Sequence, residues 1–220
     1  MRLDPKLLRL VLKIGLPTGL QMIVISVAEI ALLWMVNGYG SDATAAYGAV
    51  NQVVNYVQYP ALSIAITASI LGAQAIGRGQ PERLREITRT GLKMNVVITG
   101  SLVVLGYLLS RQVISLFITS APVIELAQEL LHIMLWSSLV FGFASVLSGV
   151  MRASGTVLVP TAISIFCILG IEVPSAWLLS HARGLDGIWM AYPITFAAML
   201  VLQTLYYKLV WKNKKIVRMV

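Results

Sequence analysis

Apolar residues run along this chain in six long blocks, separated by short polar breaks. The blocks cover roughly 14–37, 44–76, 92–110, 123–150, 157–180 and 186–210. Each approaches or exceeds the about 20 apolar residues that carry an α-helix across a bilayer. The breaks hold turn chemistry: NGYGSD, GRGQPE, the ITSAP stretch, RASG and HARGLDG. The second and fourth blocks are longer than a bilayer requires, which predicts tilt or projection. The pattern therefore predicts an all-α polytopic membrane protein, a bundle of six transmembrane helices.

Composition agrees. The 220 residues are 58% hydrophobic and only 12% charged, with a mean hydropathy of +0.82. Soluble domains run nearer half apolar and a quarter charged. The length suits one domain. A net charge of +8 would ordinarily raise nucleic-acid binding. Here the cations sit in the breaks between apolar blocks, where topology accounts for them. Arg2, Lys6, Arg9 and Lys13 precede the first block. Arg78, Arg83, Arg85, Arg89 and Lys93 follow the second, Arg152 follows the fourth, and Lys208, Lys212, Lys214, Lys215 and Arg218 end the chain. All of these fall on one side of the membrane; only Arg111 and Arg183 fall on the other. The positive-inside rule places both termini in the cytoplasm. Tyr206, Tyr207 and Trp211 mark that interface, and Trp34 and Trp177 the opposite one.

Two amphipathic basic stretches, PKLLRLVLK and PERLREITRTGLK, read as interfacial segments. The division expected is an interfacial segment over 1–13, a six-helix lobe over 14–211 and a basic cytoplasmic tail over 212–220. The first apolar block is too long for the core of a signal peptide and reads as a retained helix. The single cysteine, Cys167, excludes an internal disulfide and lies in an apolar run, as a packing residue would.

Two acids lie well inside the blocks, Glu29 and Glu172. An ionised side chain at the bilayer centre costs about 2.5–3.5 kcal/mol even on the lenient insertion scale. Such a group faces a protein interior or water, or carries a proton. At about 100° per residue, Thr18, Gln21, Ser26 and Glu29 fall on one side of the first helix. In the second, Tyr47, Asn51, Asn55 and Gln58 form a stripe, with Gln52 and Tyr59 at its edge. In the fifth, Thr161, Ser164, Glu172 and Ser175 share a face. These seams predict a polar chamber in the outer half of the membrane. The plainer reading is hydrogen bonding between packed helices, which suits Ser26, Thr161 and Ser164. Glu172 precedes Pro174, which removes the bond to the Gly170 carbonyl. Its carboxylate serves either the chamber or that broken backbone. Pro60, Pro160 and Pro193 also sit inside spans, as bending points. Ser138/Gly142 and Ser145/Gly149 have the spacing of close helix packing.

Enzymatic chemistry finds no support. The sequence holds no Walker loop, GxSxG, HExxH or Rossmann fingerprint. Glu125, Glu129 and His132 share a helical face, but no fourth ligand accompanies them, so no metal site is expected.

The runs LLRLVLKIGLPTGLQ, WMVNGYG, AAYGAVNQV and GAQAIGRGQPERLREI, followed by MRASGTVLVPTAIS and GLDGIWMAYPI, resemble the multidrug and toxic compound extrusion (MATE) transporters. The resemblance covers nearly the whole chain. Family members have twelve helices in two six-helix lobes, and this chain resembles the second. Its RLDPKLLRLVLK start resembles the connector between lobes. The resemblance implies a multi-pass protein of the bacterial plasma membrane. It would export organic cations or other drugs by antiport with sodium ions or protons, with no other cofactor. Glu29, Gln21, Tyr47, Asn51, Asn55, Gln58 and Tyr59 would line the substrate cavity, with Glu172 as a second intramembrane acid. Many relatives carry their acid one turn before Glu29, where this sequence has Ile25. A missing first lobe, or a second copy of the chain, would be the partner. Two alternatives stand beside this one. The first is a flippase for lipid-linked precursors, disfavoured by an acidic chamber without a basic cluster. The second is a non-transporting half-length assembly partner or remnant.

Overall fold

The structure, a computed structural model, describes residues 5–213. Its elements, in chain order, are α1 (Pro5–Asn37), α2 (Ser41–Gly77), α3 (Arg83–Leu108), the short α4 (Ser110–Ser115), α5 (Ala121–Leu135), α6 (Ser137–Ala153), α7 (Leu158–Cys167), a π-helical turn (Ile168–Glu172), α8 (Val173–Arg183), α9 (Leu185–Leu209) and a 3-10 turn (Trp211–Asn213). No strand occurs among the described residues. Six helical units are long and apolar enough to cross a membrane. They are α1, α2, α3, α5 with α6, α7 through α8, and α9 with its 3-10 extension. The chain is a multi-pass membrane protein.

Four of the five connections between spans turn at a glycine with positive φ: Gly40, Gly79, Gly155 and Gly184. Gly184, at φ 65°, alone separates α8 from α9. Its left-handed conformation suits a residue without Cβ. Three residues on, Gly187 lies so close to the Leu179 backbone that a Cβ would strike its carbonyl oxygen. The hairpin between the last two spans is therefore tight.

Both stretches read as interfacial run into the adjoining spans. Residues 5–13 continue without a break into α1, and α3 starts at Arg83, inside the second stretch. Pro17 does not interrupt α1; the Thr18 hydroxyl donates to the Ile14 carbonyl at 3.0 Å, next to the disturbed turn. Residues 1–4 and 214–220 lie outside the described residues, including Arg2 and most of the expected basic tail.

The core lies where α2, α5, α6 and α9 meet, with Val50, Leu131, Met134 and Trp189 almost wholly buried. Small residues let α6 reach its neighbours. Gly149 packs directly on the Ala65 carbonyl of α2, and Gly142 on the side-chain amide of Asn95 in α3. Lipid tails are as apolar as leucine, so such helices associate through close packing and hydrogen bonds. Asn95 supplies both: fully buried, it donates to the Leu139 carbonyl at 3.1 Å and accepts from Thr99 at 2.9 Å. At the end of the bundle holding the α2–α3 and α6–α7 turns, the Trp211 indole donates to Ser154 Oγ at 2.8 Å. Its ring stacks on Tyr207 at 5.0 Å. This clasp closes the last span onto the α6–α7 turn.

Proline shapes the fifth pass. Pro174 has no N–H to give, and the helix widens to a π turn just before it, with the Val173 N–H bonded to the Ile168 carbonyl. Isolated π turns inside α-helices frequently occur at functional sites. This one ends on Glu172.

Candidate functional site

A cleft of about 830 Å³ opens between α1, α2, α6, the fifth pass and α9. Its volume falls within the about 300–1,000 Å³ common for small-molecule sites. Each wall contributes one polar seam. Thr18, Gln21, Ser26 and Glu29 come from one side of α1. Tyr47, Asn51, Asn55 and Gln58 come from α2, each about one helical turn from the next. Ser164 and Glu172 face in from the fifth pass, Tyr192 and Gln203 from α9, and Ser145, Ser148 and Arg152 from α6. Apolar side chains such as Phe141, Phe196 and Met199 fill the surface between.

The structure brings together seven of the eight residues that the sequence singles out: Glu29, Gln21, Tyr47, Asn51, Asn55, Gln58 and Glu172. Tyr59 is not among the lining residues. It is exposed on α2, and its ring meets the edge of Tyr56 at 6.4 Å. One residue past Gln58 is a 100° turn about the helix axis, enough to carry its side chain off the seam.

The two acids differ in setting. Glu29 is open to the cleft, whereas Glu172 is only 6% exposed. Glu172 makes no hydrogen bond or ion pair among the described residues. The backbone break at Pro174 is accommodated by the π turn, so the Glu172 carboxyl is not spent on it. Beside it, the Tyr47 and Tyr192 hydroxyls are hydrogen-bonded at 3.1 Å, both nearly buried. The Tyr47 ring lies against Trp189 at 5.1 Å. Glu29, Glu172 and the two phenols line the cleft together. This end of the cleft is a hydroxyl- and carboxylate-rich pocket suited to a cation or a proton.

The other end holds a residue that the sequence reading missed. Arg152, expected in a connection, sits in the last turn of α6 and extends into the cleft. Its Nη2 donates to Gln21 Oε1 at 2.8 Å, while its buried Nε has no partner among the described residues. Gln21 lies eight residues before Glu29, about 12 Å along the helix at 1.5 Å per residue. The cleft thus runs from two acids at one end to one guanidinium at the other. A long arginine near a helix end commonly reaches along the helix in this way, and that tendency was the available signal. No group of three or more His, Cys, Asp or Glu side chains placed to hold a metal ion occurs among the described residues.

Comparison with known proteins gives this geometry its context. The MatE family model matches residues 17–178. The chain is 49% identical over 222 residues to the "Probable multidrug resistance protein YoeA" of Bacillus subtilis, covering 100% of this chain and 48% of that protein. It is 26% identical over 203 residues to the "Multidrug export protein MepA" of Staphylococcus saprophyticus, covering 89% of this chain and 44% of that one. The structure described as "Crystal structure of MATE in complex with MaL6" superposes with a TM-score of 0.86 at 20% identity, over 94% of this chain and 47% of that chain. The chain spans about half the length of the curated relatives it matches. With the family model matching residues 17–178 and the YoeA likeness running the length of the chain, the chain belongs to the MatE family, the multidrug and toxic compound extrusion transporters.

Proposed function

We propose that the chain is one six-helix lobe of a secondary active multidrug exporter. It moves organic cations or other drugs outward against sodium ions or protons by alternating access. The observation that carries this reading is the cleft itself: two intramembrane carboxylates, an amide stripe and two phenols converge on one site. A carboxylate open to the cleft attracts a cationic drug and equally a coupling ion. Competition for one charge couples the two fluxes in opposite directions, because the site releases the drug when the ion takes its place. Glu29 is the residue in that position. Glu172, more deeply set, holds a proton or shares the ion. The π turn and Pro174 beside it give the fifth pass a bending point that a lobe needs when it rocks.

The excess of Lys and Arg at one end of the bundle supports cytoplasmic termini and residence in the plasma membrane. The half-length match to its relatives supports a partner that completes the cavity, either a first lobe or a second copy of the chain. Parallel lobes related by an axis along the membrane normal allow both arrangements.

The test is efflux from cells expressing the chain together with a candidate first lobe. They should retain less ethidium than cells without it. Glu29→Gln removes the charge while keeping the shape, and efflux should slow about tenfold or more, the effect of losing a charge-assisted contact of about 1.5–3 kcal/mol. Efflux at the parental rate would show that Glu29 does not couple the fluxes.

A further inference from the structure

A second cavity, of about 770 Å³, lies away from the cleft, between the start of α3 and the end of α9. We propose that it binds the headgroup of an anionic phospholipid, with the acyl chains running along the adjoining exposed apolar face of α3. The inference is independent of what crosses the cleft.

Five cations line this cavity: Arg85, Arg89 and Lys93 from α3, and Lys208 and Lys212 from the end of α9. The three on α3 are spaced i, i+4, i+8, so successive turns present them on one face. Two acids, Glu82 and Glu86, share the cavity, which leaves an excess of three positive charges. The one salt bridge found among the described residues joins Glu86 to Arg83, which does not line the cavity, at 4.0 Å. All five lining cations are therefore without an ion pair among the described residues. Five like charges held around one concavity repel one another, and a multivalent anion relieves that repulsion.

The lower wall specifies a lipid rather than a soluble anion. Around Lys93 the cavity is also lined by Leu92, Val96 and Phe143, and the α3 surface continues past them with the exposed Val97. Cations at the end of a spanning helix, passing directly into apolar side chains, match the cross-section of a phospholipid, with phosphate above and hydrocarbon below. The site is also held in shape. Tyr207 at its wall lies 3.4 Å from the Thr88 hydroxyl and stacks on Trp211, which anchors the end of α9. Basic pockets between spanning helices at a membrane surface are a known means of gripping anionic headgroups.

The experiment is native mass spectrometry of the detergent-purified chain, titrated with dioleoyl-phosphatidylglycerol, dioleoyl-phosphatidylcholine and inorganic phosphate. Phosphatidylglycerol should bind at least about tenfold more tightly than phosphatidylcholine. The triple substitution Arg85→Gln, Arg89→Gln, Lys93→Gln should weaken it about 100-fold, at about fivefold per basic residue. The charge-keeping pair Arg85→Lys, Arg89→Lys should retain the preference. Arg111→Gln with Arg183→Gln, at the opposite end of the bundle, should leave it unchanged. Helical circular dichroism of each variant checks that it is folded. Equal binding of the two lipids, or parental binding by the folded triple variant, overturns the proposal. So does phosphate displacing phosphatidylglycerol at comparable concentration, which would make this a site for free anions.

Discussion

Adding one methyl group at Gly149 tests the packing that shapes the cleft. An ideal Cβ there overlaps the Ala65 carbonyl oxygen and lies 3.0 Å from the carbonyl carbon. Those atoms are backbone in the middle of α2, so no side chain can rotate away; α2 and α6 have to separate. Overpacking of this kind costs about 1–3 kcal/mol, while replacing glycine by alanine in a helix returns about 1 kcal/mol. The two contributions separate by comparison with Gly48→Ala and Gly100→Ala, where an added Cβ meets nothing within 4 Å. Those controls report helix propensity alone and should be neutral or stabilising. Gly149→Ala should be less stable than either by about 1–3 kcal/mol, measured by unfolding in increasing sodium dodecyl sulfate against a fixed mild detergent. Since Ala65 and Gly149 both line the cleft, the same change should alter its width. If Gly149→Ala is as stable as Gly48→Ala, the two helices do not touch there, and the described α2–α6 contact is wrong.

Asn95→Ala should destabilise the bundle by about 1 kcal/mol in the same titration, because membrane hydrogen bonds average about 0.6 kcal/mol and Asn95 makes two. Thr99→Val, which removes one of them, should cost less. Arg152→Gln and Gln21→Leu should show a coupling of about 1 kcal/mol in a double-mutant cycle of stability, whereas Arg152→Gln paired with Asn55→Leu, whose side chain has no bond to Arg152, should be additive.

Much of this molecule was legible in its sequence because two strong periodicities write it. Length and hydropathy define the six passes, and an α-helical repeat of polar residues defines the seams. Asn51, Asn55 and Gln58 share one face of α2 whatever the tertiary packing does, so their place in the cleft could be read directly. What escaped depended on side-chain reach or on small departures from ideal helices. Tyr59 sits at the margin of the stripe, where one residue's rotation decides between the cleft and the outer surface. Arg152 looks like a connection residue in sequence, yet α6 continues through Ala153 and its long side chain turns back to Gln21. Pro174 announced a disturbed helix, but not that a π turn would accommodate it and leave Glu172 without a backbone task. The fourth pass reads as one block, whereas the structure divides it at Trp136 between α5 and α6. The short α4 hid within a stretch read as the end of the third span and a loop.

The central claim is that drug occupies the cleft between these seams, and thiol protection tests it most directly. Cys167 is fully buried and is the chain's one cysteine, so Cys167→Ser gives a clean background. Asn55→Cys places a thiol on the cleft wall, and Ser120→Cys places one in the exposed connection before α5. With the lobe assembled in membranes, ethidium should slow the maleimide reaction at position 55 in proportion to its occupancy and leave position 120 unchanged. An unchanged rate at position 55 under saturating ethidium would contradict the account.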